Sequence, residues 1–516
     1  MSDKNTYIKN IQSNYSFSST SIYLGAGVFN DEIIGDAKVS IPLKMFTRHG
    51  LVAGATGTGK TRTLQLLAEQ LSDAGVPVFL LDVKGDLSGM AKEGILTEKI
   101  KERIHALSVP YTNKAFPVEL LSLTGKRGAQ VRATSIEIGP LLLSKILELN
   151  DTQTGALTVL YKYADDKNLP LLDLADIKKT LNYLAEGDGA KEIKEEYGKI
   201  STSTASTILR KIVSLEQQGV STIFGEPSFD ISDFFEKVDG MGVVSLLNIS
   251  DAQDKPVLYS TFLLSLLVEI YQTLPEVGDL EKPKLVFFFD EAHLLFNNSS
   301  PAFLNQIEQI IRLIRSKGVG IFFCTQSPLD IPDSVLGQLG NRIQHALRAF
   351  TPNDADNLKK TAKTYPTTEF YAIEKVLTSM GIGQALVTVL NEKGIPTTPA
   401  VTHLFPPRSM MGMLTEDEFT THIANSDLYK KYQEQLDSRS AHDILTERIA
   451  AQNNATSEKT TEQKKEKTKP EKSTMEQVLG SPVTKEIGKS LVRGLFGMLF
   501  GKTPRSTTRR RKNSIF

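Results

Sequence analysis

The chain has 516 residues, 60 Lys and Arg against 60 Asp and Glu, a net charge of +0, 40% hydrophobic content and one cysteine. That length gives two or three domains and a large core, while the charge balance excludes a global basic field, so nucleic acid could be held only by a local patch. Cys324 on its own excludes a disulfide framework and fits a reducing cytosol, and no secretory leader or bilayer-long apolar run is present, so a soluble cytoplasmic protein without stable membrane insertion is expected.

Residues 1–44 alternate short apolar and polar stretches around Gly25, Gly27 and Gly35 and read as a short β-rich N-terminal region. Residues 45–140 then open on a short buried strand, 51–53, followed by GATGTGKT. Gly54, Gly59, Lys60 and Thr61 fit G-x-x-x-x-G-K-[ST], a pattern met by accident about once in fifty chains of this length at average glycine content. The glycines let successive N–H groups turn inward on phosphate oxygens. Lys60 brings a positive charge to the β- and γ-phosphates, and the Thr61 hydroxyl is a Mg²⁺ ligand. Leu64, Leu67, Ala68 and Leu71 continue at helical spacing, so the loop feeds a helix N-terminus that favours an anion. The candidate nucleotide contacts are Gly54, Ala55, Thr56, Gly57, Thr58, Gly59, Lys60, Thr61 and Arg62.

The apolar run 76–81 predicts a strand buried on both faces, ending in Asp82-Val83-Lys84-Gly85-Asp86. Carboxylates at that place sit where α/β sheets bind ligands, and a turn with helix-capping acids is as good a reading for each alone. Residues 141–219 change character: strands vanish and apolar residues recur at helical spacing, which predicts a helical insertion acting as a packed lid. Residues 220–438 resume the α/β rhythm, with strands at 242–248, 284–289 and 320–325, helices at 256–274 and 303–316, and further elements at 332–339, 345–350, 354–364 and 384–390. Such alternation predicts a mostly parallel sheet covered on both faces. Residues 439–475 are polar and charged and read as a flexible linker. Residues 476–516 carry an amphipathic helix and a basic tail ending in Arg509, Arg510, Arg511 and Lys512.

The apolar strand 285–289 delivers Asp290-Glu291-Ala292-His293. Asp290 suits the Mg²⁺ shell, and Glu291 suits polarisation of the attacking water. One strand later Gln326 is placed to sense the γ-phosphate or position water. The letters DEAH invite comparison with DEAH-box helicases. Those enzymes carry a late Q-x-x-G-R-x-G-R element, and the stretch 337–342 does not match it.

Taken together, GATGTGKT, DVKGDLSG, FFFDEAHLLF and the run from IRLIRSKG to RAFTP resemble the HerA–FtsK superfamily of ring ATPases, in particular its bacterial HerA-like branch. The resemblance covers most of residues 44–404. It implies a RecA-like core that assembles as a homo-hexamer and moves along double-stranded DNA with ATP and Mg²⁺. On it, Lys60 and Thr61 are the Walker A residues, Asp290 and Glu291 the Walker B pair, and Gln326 the polar sensor. Arg342 and Arg348 match the region that can face a neighbour's nucleotide, in competition with Arg312 and Arg315. The barrel that precedes the core in HerA proteins is shortened here, which leaves a nuclease partner unassigned. The alternatives are a ring ATPase that acts on protein and a nucleotide-gated binding module with little turnover.

Overall fold

The structure, a computed structural model, describes residues 3–296 and 301–462. Along the chain its strands are β1 (Ser21–Phe29), β2 (Glu32–Pro42), β3 (Gly50–Ala53), β4 (Val78–Asp82), β5 (Val118–Ser122) and β6 (Ala129–Gln130). A small hairpin, β7 (Lys237–Val238) and β8 (Met241–Gly242), precedes β9 (Val244–Asn248), β10 (Leu285–Phe289), β11 (Val319–Thr325), β12 (Asn341–His345), β13 (Gln384–Thr388) and β14 (Ala400–Leu404). All but the hairpin form one sheet, in the order β2-β1-β14-β13-β12-β3-β11-β10-β4-β9-β5-β6. From β12 to β6 every pairing is parallel, and from β12 to β2 every pairing is antiparallel. This is the α/β, RecA-like core expected, with β11 lying between the phosphate-loop strand β3 and the acidic strand β10.

Strands β3, β4, β10 and β11 are buried along their whole length, which their continuous apolar runs require. Alternate residues feed two layers of core. Phe79, Phe287, Ile321 and Phe323 pack with the helices of the insertion, and Leu80, Phe288, Phe322 and Cys324 pack with the helix after the phosphate loop. The insertion residues Leu160, Ile177, Leu181, Ile208 and Ile212 share one apolar cluster with β10 and β11, so the insertion forms a wall of the core. Its helical run starts at Ser135, before the expected 141. Gly139, at φ 72°, and Pro140 break the first helix and hide its opening turn from a periodicity reading.

Three sequence expectations change. The N-terminal region begins with a helix, α1 (Lys4–Tyr15), capped by Asp3, whose carboxylate accepts the Thr6 N–H. It buries only Tyr7, Ile11 and Tyr15, a stripe too thin to register as periodicity. The region is continuous with the core sheet: β1 pairs with β14, and the Tyr15 hydroxyl donates to the Val387 carbonyl at 2.8 Å. The element expected at 345–350 meets only the end of a strand, Asn341–His345. Asn341 looks like a turn residue, yet its buried amide donates to the Met45 and His49 carbonyls and accepts the Leu390 N–H. The linker expected from residue 439 starts as a helix, Ala441–Glu462, anchored by buried Ala441 and Leu445, with the His442 N–H donating to Asp176 at 2.7 Å. The expected amphipathic helix and basic tail of 476–516 lie outside the described residues. Among those described, no helix is long and apolar enough to cross a membrane.

Candidate nucleotide site

Residues 54–59 leave β3 as a loop that opens onto α2 (Lys60–Asp73). Three outside contacts shape it. The Gly54 N–H donates to the Thr325 carbonyl at 3.2 Å, the Ala55 N–H to Ala346 at 2.8 Å, and the Gly383 N–H to the Thr58 carbonyl at 3.0 Å. Gly54, at φ 153°, lies so close to β12 that a Cβ there would stand 2.5 Å from the Cβ of His345, a second reason besides its backbone angle why only glycine fits. Thr56 and Gly57 are exposed at the loop apex, and Thr61 is half-buried at the first turn of α2. Lys60 is buried and folds back over the loop, donating to the Gly54 carbonyl at 2.7 Å. Arg62 points away, to Gln65 at 2.8 Å and Asp86 at 3.8 Å.

Two strands along, about 10 Å at the usual spacing, β10 ends in Asp290 and Glu291. Asp290 is buried. Its Oδ1 accepts the Glu291 N–H at 2.9 Å, while Oδ2 has no N–H or O–H donor. Burial raises its pKa, against the opposing hydrogen bond from the Cys324 thiol. Glu291 adopts a left-handed backbone at φ 47°, a strained angle for a residue with a side chain and of a kind that collects at functional sites. Its Oε1 meets Lys84 Nζ at 3.3 Å. Its Oε2 is buried and accepts no hydrogen bond, although His293 Nδ1 lies 3.4 Å away. Asp82 at the end of β4 completes the acidic row. Burial pushes its carboxyl up to about 6, although it accepts the Gly85 and Leu87 N–H groups. Asp290 fits a Mg²⁺ ion or its water on an observation of this structure: a buried carboxylate oxygen without an N–H or O–H donor is what a ligand position looks like before it is filled.

Gln326 is exposed just past β11. Arg342 is taken up by its own chain, donating to Thr364 Oγ1 at 2.8 Å and reaching the Leu336 and Leu339 carbonyls at 3.5 Å. Arg348 is exposed, two residues beyond Ala346, whose carbonyl accepts the Ala55 N–H of the phosphate loop, with one long contact to the Thr378 carbonyl at 3.5 Å. Arg312 and Arg315 stand at the opposite edge of the sheet, ahead of β11. With Lys44 and Arg48 they line a cavity of about 510 Å³, which also holds Asp279, Glu281 and Glu392. Glu392 is already engaged by Ser18 and Ser19, and Arg315 reaches Asp279 at 3.9 Å.

Sequence reasoning missed His345. It is fully buried behind the loop, its Nε2 is 2.9 Å from Thr63 Oγ1, and burial together with the Lys60 charge lowers its pKa to about 4. No motif marks it, because its role comes from the register that sets β12 beside β3. Arg103 was missed for the same reason: it donates to the Gly383 and Leu404 carbonyls and so fixes the turn that holds Thr58.

Residues 30–505 match the family described as helicase HerA-like C-terminal. The chain belongs to that family. Its relatives include a probable helicase of Methanocaldococcus jannaschii, 26% identical over 63% of this chain and 61% of that protein. A DNA double-strand break repair helicase HerA of Sulfurisphaera tokodaii is 22% identical over 64% of this chain and 61% of that protein. The chain thus spans about three-fifths of the length of these relatives. Among solved structures it is similar to the plasmid coupling protein TrwB in complex with a non-hydrolysable ATP analogue (13% identity, 78% of this chain, 94% of that one, TM-score 0.49). The conjugative coupling protein TrwB in its unbound form compares similarly (14% identity, 79% and 94% covered, TM-score 0.48).

Proposed function

We propose that the chain hydrolyses ATP with Mg²⁺ as part of a homo-hexameric ring that translocates on or remodels double-stranded DNA. The observation that carries the reading is the pair of buried oxygens without an N–H or O–H donor, Asp290 Oδ2 and Glu291 Oε2, on the same sheet edge as the loop closed by Lys60. In this reading Lys60 exchanges the Gly54 carbonyl for the β- and γ-phosphates, and Thr61 and Asp290 hold the metal. Bound Mg²⁺ neutralises phosphate charge. Glu291 Oε2 takes a proton from water, whose oxygen bonds to the γ-phosphorus as the bond to the ADP oxygen breaks. Gln326 is exposed at the same edge and orients that water.

The arginines divide by place. Arg348, two residues beyond the carbonyl that holds its own loop, is assigned to act in cis. Arg312 and Arg315 lie at the far ends of strands up to seven residues long, about 20 Å away, so they meet a nucleotide only on a neighbouring subunit. Arg342, spent on its own chain, is assigned no phosphate.

The test is the ATPase rate with and without duplex DNA, alongside the native mass. Stimulation of an oligomer by duplex supports the reading. Turnover indifferent to duplex at every salt concentration transfers it to a protein-acting ring. ATP binding without turnover leaves a nucleotide-gated binding module.

A further inference from the structure

The turn after β4 touches both halves of the nucleotide site. Its backbone is fixed at two points: Asp82 accepts the Gly85 and Leu87 N–H groups at 2.8 and 3.0 Å, and Gly85 lies at φ 76°, with the Asn248 amide 3.0 Å from where a Cβ would stand. Because Leu81 pairs with Phe289 in the sheet, the turn comes level with Glu291, and Lys84 Nζ lies 3.3 Å from Glu291 Oε1. At its other end Asp86 reaches Arg62, next to Thr61, at 3.8 Å.

The two partners of the Lys84–Glu291 pair differ in freedom. The Glu291 side chain is 11% exposed and its backbone angle is constrained, whereas the Lys84 side chain is 50% exposed on a flexible four-carbon stem. An ion pair with one partner this exposed is weakly held. A more concentrated negative charge within the sweep of the lysine would draw it away, and the carboxylate would stay in place. The site built around Lys60, Asp290 and Glu291 is one where such a charge arrives, and it differs between a nucleoside triphosphate and a diphosphate at the γ-position that Glu291 serves.

We propose that Lys84 is a phosphate-sensing cation that leaves Glu291 for the γ-phosphate of a bound nucleoside triphosphate, freeing Oε1 of the carboxylate as it does so. The proposal rests on the reading of this edge as the hydrolytic site. A diphosphate offers no γ-oxygens, so with it the Lys84–Glu291 pair persists. Lys84 therefore contributes to triphosphate affinity and not to diphosphate affinity, and it links occupancy of the γ-position to release of the Oε1 side of the Glu291 carboxylate.

Calorimetric titration with ADP and with a non-hydrolysable ATP analogue, both with Mg²⁺, tests this on the wild-type chain, Lys84→Met and Lys84→Arg. Lys84→Met is expected to weaken the ATP analogue about tenfold, which is about 1.4 kcal/mol, and to leave ADP affinity within about twofold. Lys84→Arg is expected to keep most of the preference, since its charge and reach remain. Retained ADP binding also reports that the variant is folded. Equal weakening of both ligands with unchanged thermal unfolding, or no change in either, overturns the proposal. A wild-type chain that binds neither nucleotide removes the reading of the site itself, an outcome distinct from either of these.

Discussion

At the C-terminal ends of β3, β10 and β11 the chain gathers the phosphate loop, Lys60, Asp290 and Glu291. At the N-terminal ends of the same three strands it gathers Lys44, Arg48, Arg312 and Arg315 around a cavity. The first edge carries the buried Asp82 and Asp290 beside Glu291, and two of its carboxylate oxygens have no N–H or O–H donor. The second gathers four cations around a cavity that also holds Asp279, Glu281 and Glu392, with Arg315 reaching Asp279 at 3.9 Å. One sheet thus carries, at its two ends, the parts that a phosphoryl-transfer site combines, held apart by its own strand length. In the proposed reading, an isolated chain completes only half of the site, and the missing charge would come from the opposite end of an identical neighbour.

The largest effects should come from the acidic edge and the basic edge taken singly. An arginine that stabilises transferring phosphate is typically worth on the order of 10³–10⁵ in rate. Arg315→Ala, or Arg312→Ala if that side chain is the one that reaches across, should therefore cost turnover steeply in a steady-state ATPase assay and leave ATP binding intact. Glu291→Gln should lose about 10²–10⁴, the usual contribution of a general base, again with binding retained. Lys60→Ala should fail earlier, at nucleotide binding, because it removes the charge that meets the phosphates. Near-wild-type hydrolysis by Glu291→Gln would mean that another group activates the water.

Smaller effects sharpen the division among the remaining arginines. Arg348→Ala should lower turnover even in rings whose other subunits are intact, as a cis group does. Arg342→Ala should change thermal stability more than rate, because its guanidinium binds Thr364 and helix-end carbonyls. Comparing rate and melting temperature for both variants decides which edge each arginine serves.

The smallest expected effect is a pH dependence. His345 and His49 are buried, and burial lowers both from 6.5 to about 4. In this window the unfolded chain binds the protons that the folded chain excludes, so these two groups make stability rise with pH between about 4 and 6.5. Asp82 opposes them: with its carboxyl raised from 3.8 to about 6, the stability it contributes falls as pH rises through that range. His345→Gln should flatten the acid limb by about one proton taken up on unfolding, read from denaturation midpoints across pH. An unchanged limb would mean that His345 is not held neutral behind the loop.

How much of this could be read in the sequence follows from what kind of interaction set each part. The phosphate loop and the DEAH strand were legible because local backbone geometry and burial on both faces restrict residue types at fixed spacing. The helical insertion was legible from its period, although the Gly139–Pro140 break moved its start. Helix α1 was not legible, since three buried residues in twelve leave little pattern. Asn341 was not, because a buried amide that satisfies three backbone groups looks in sequence like a turn. His345 behind the loop carries no local signature; Lys84 lies in the quoted DVKGDLSG stretch, but nothing local pairs it with Glu291, and the basic cavity joins residues 44–48 to 312–315 only through the pairing of β3 with β11.

The comparison of the two edges stands or falls on a mixing experiment. Lys60→Ala subunits keep an intact basic edge and cannot bind nucleotide, and Arg315→Ala subunits keep an intact phosphate edge and lack the charge from across the boundary. Each alone should be nearly inactive. Mixed under conditions where native mass shows hetero-oligomers, they should recover a measurable fraction of wild-type ATP turnover, because some boundaries pair a working loop with a working arginine. Hetero-oligomers that stay as inactive as their parents, or a wild-type monomer with full turnover at high dilution, would contradict the account.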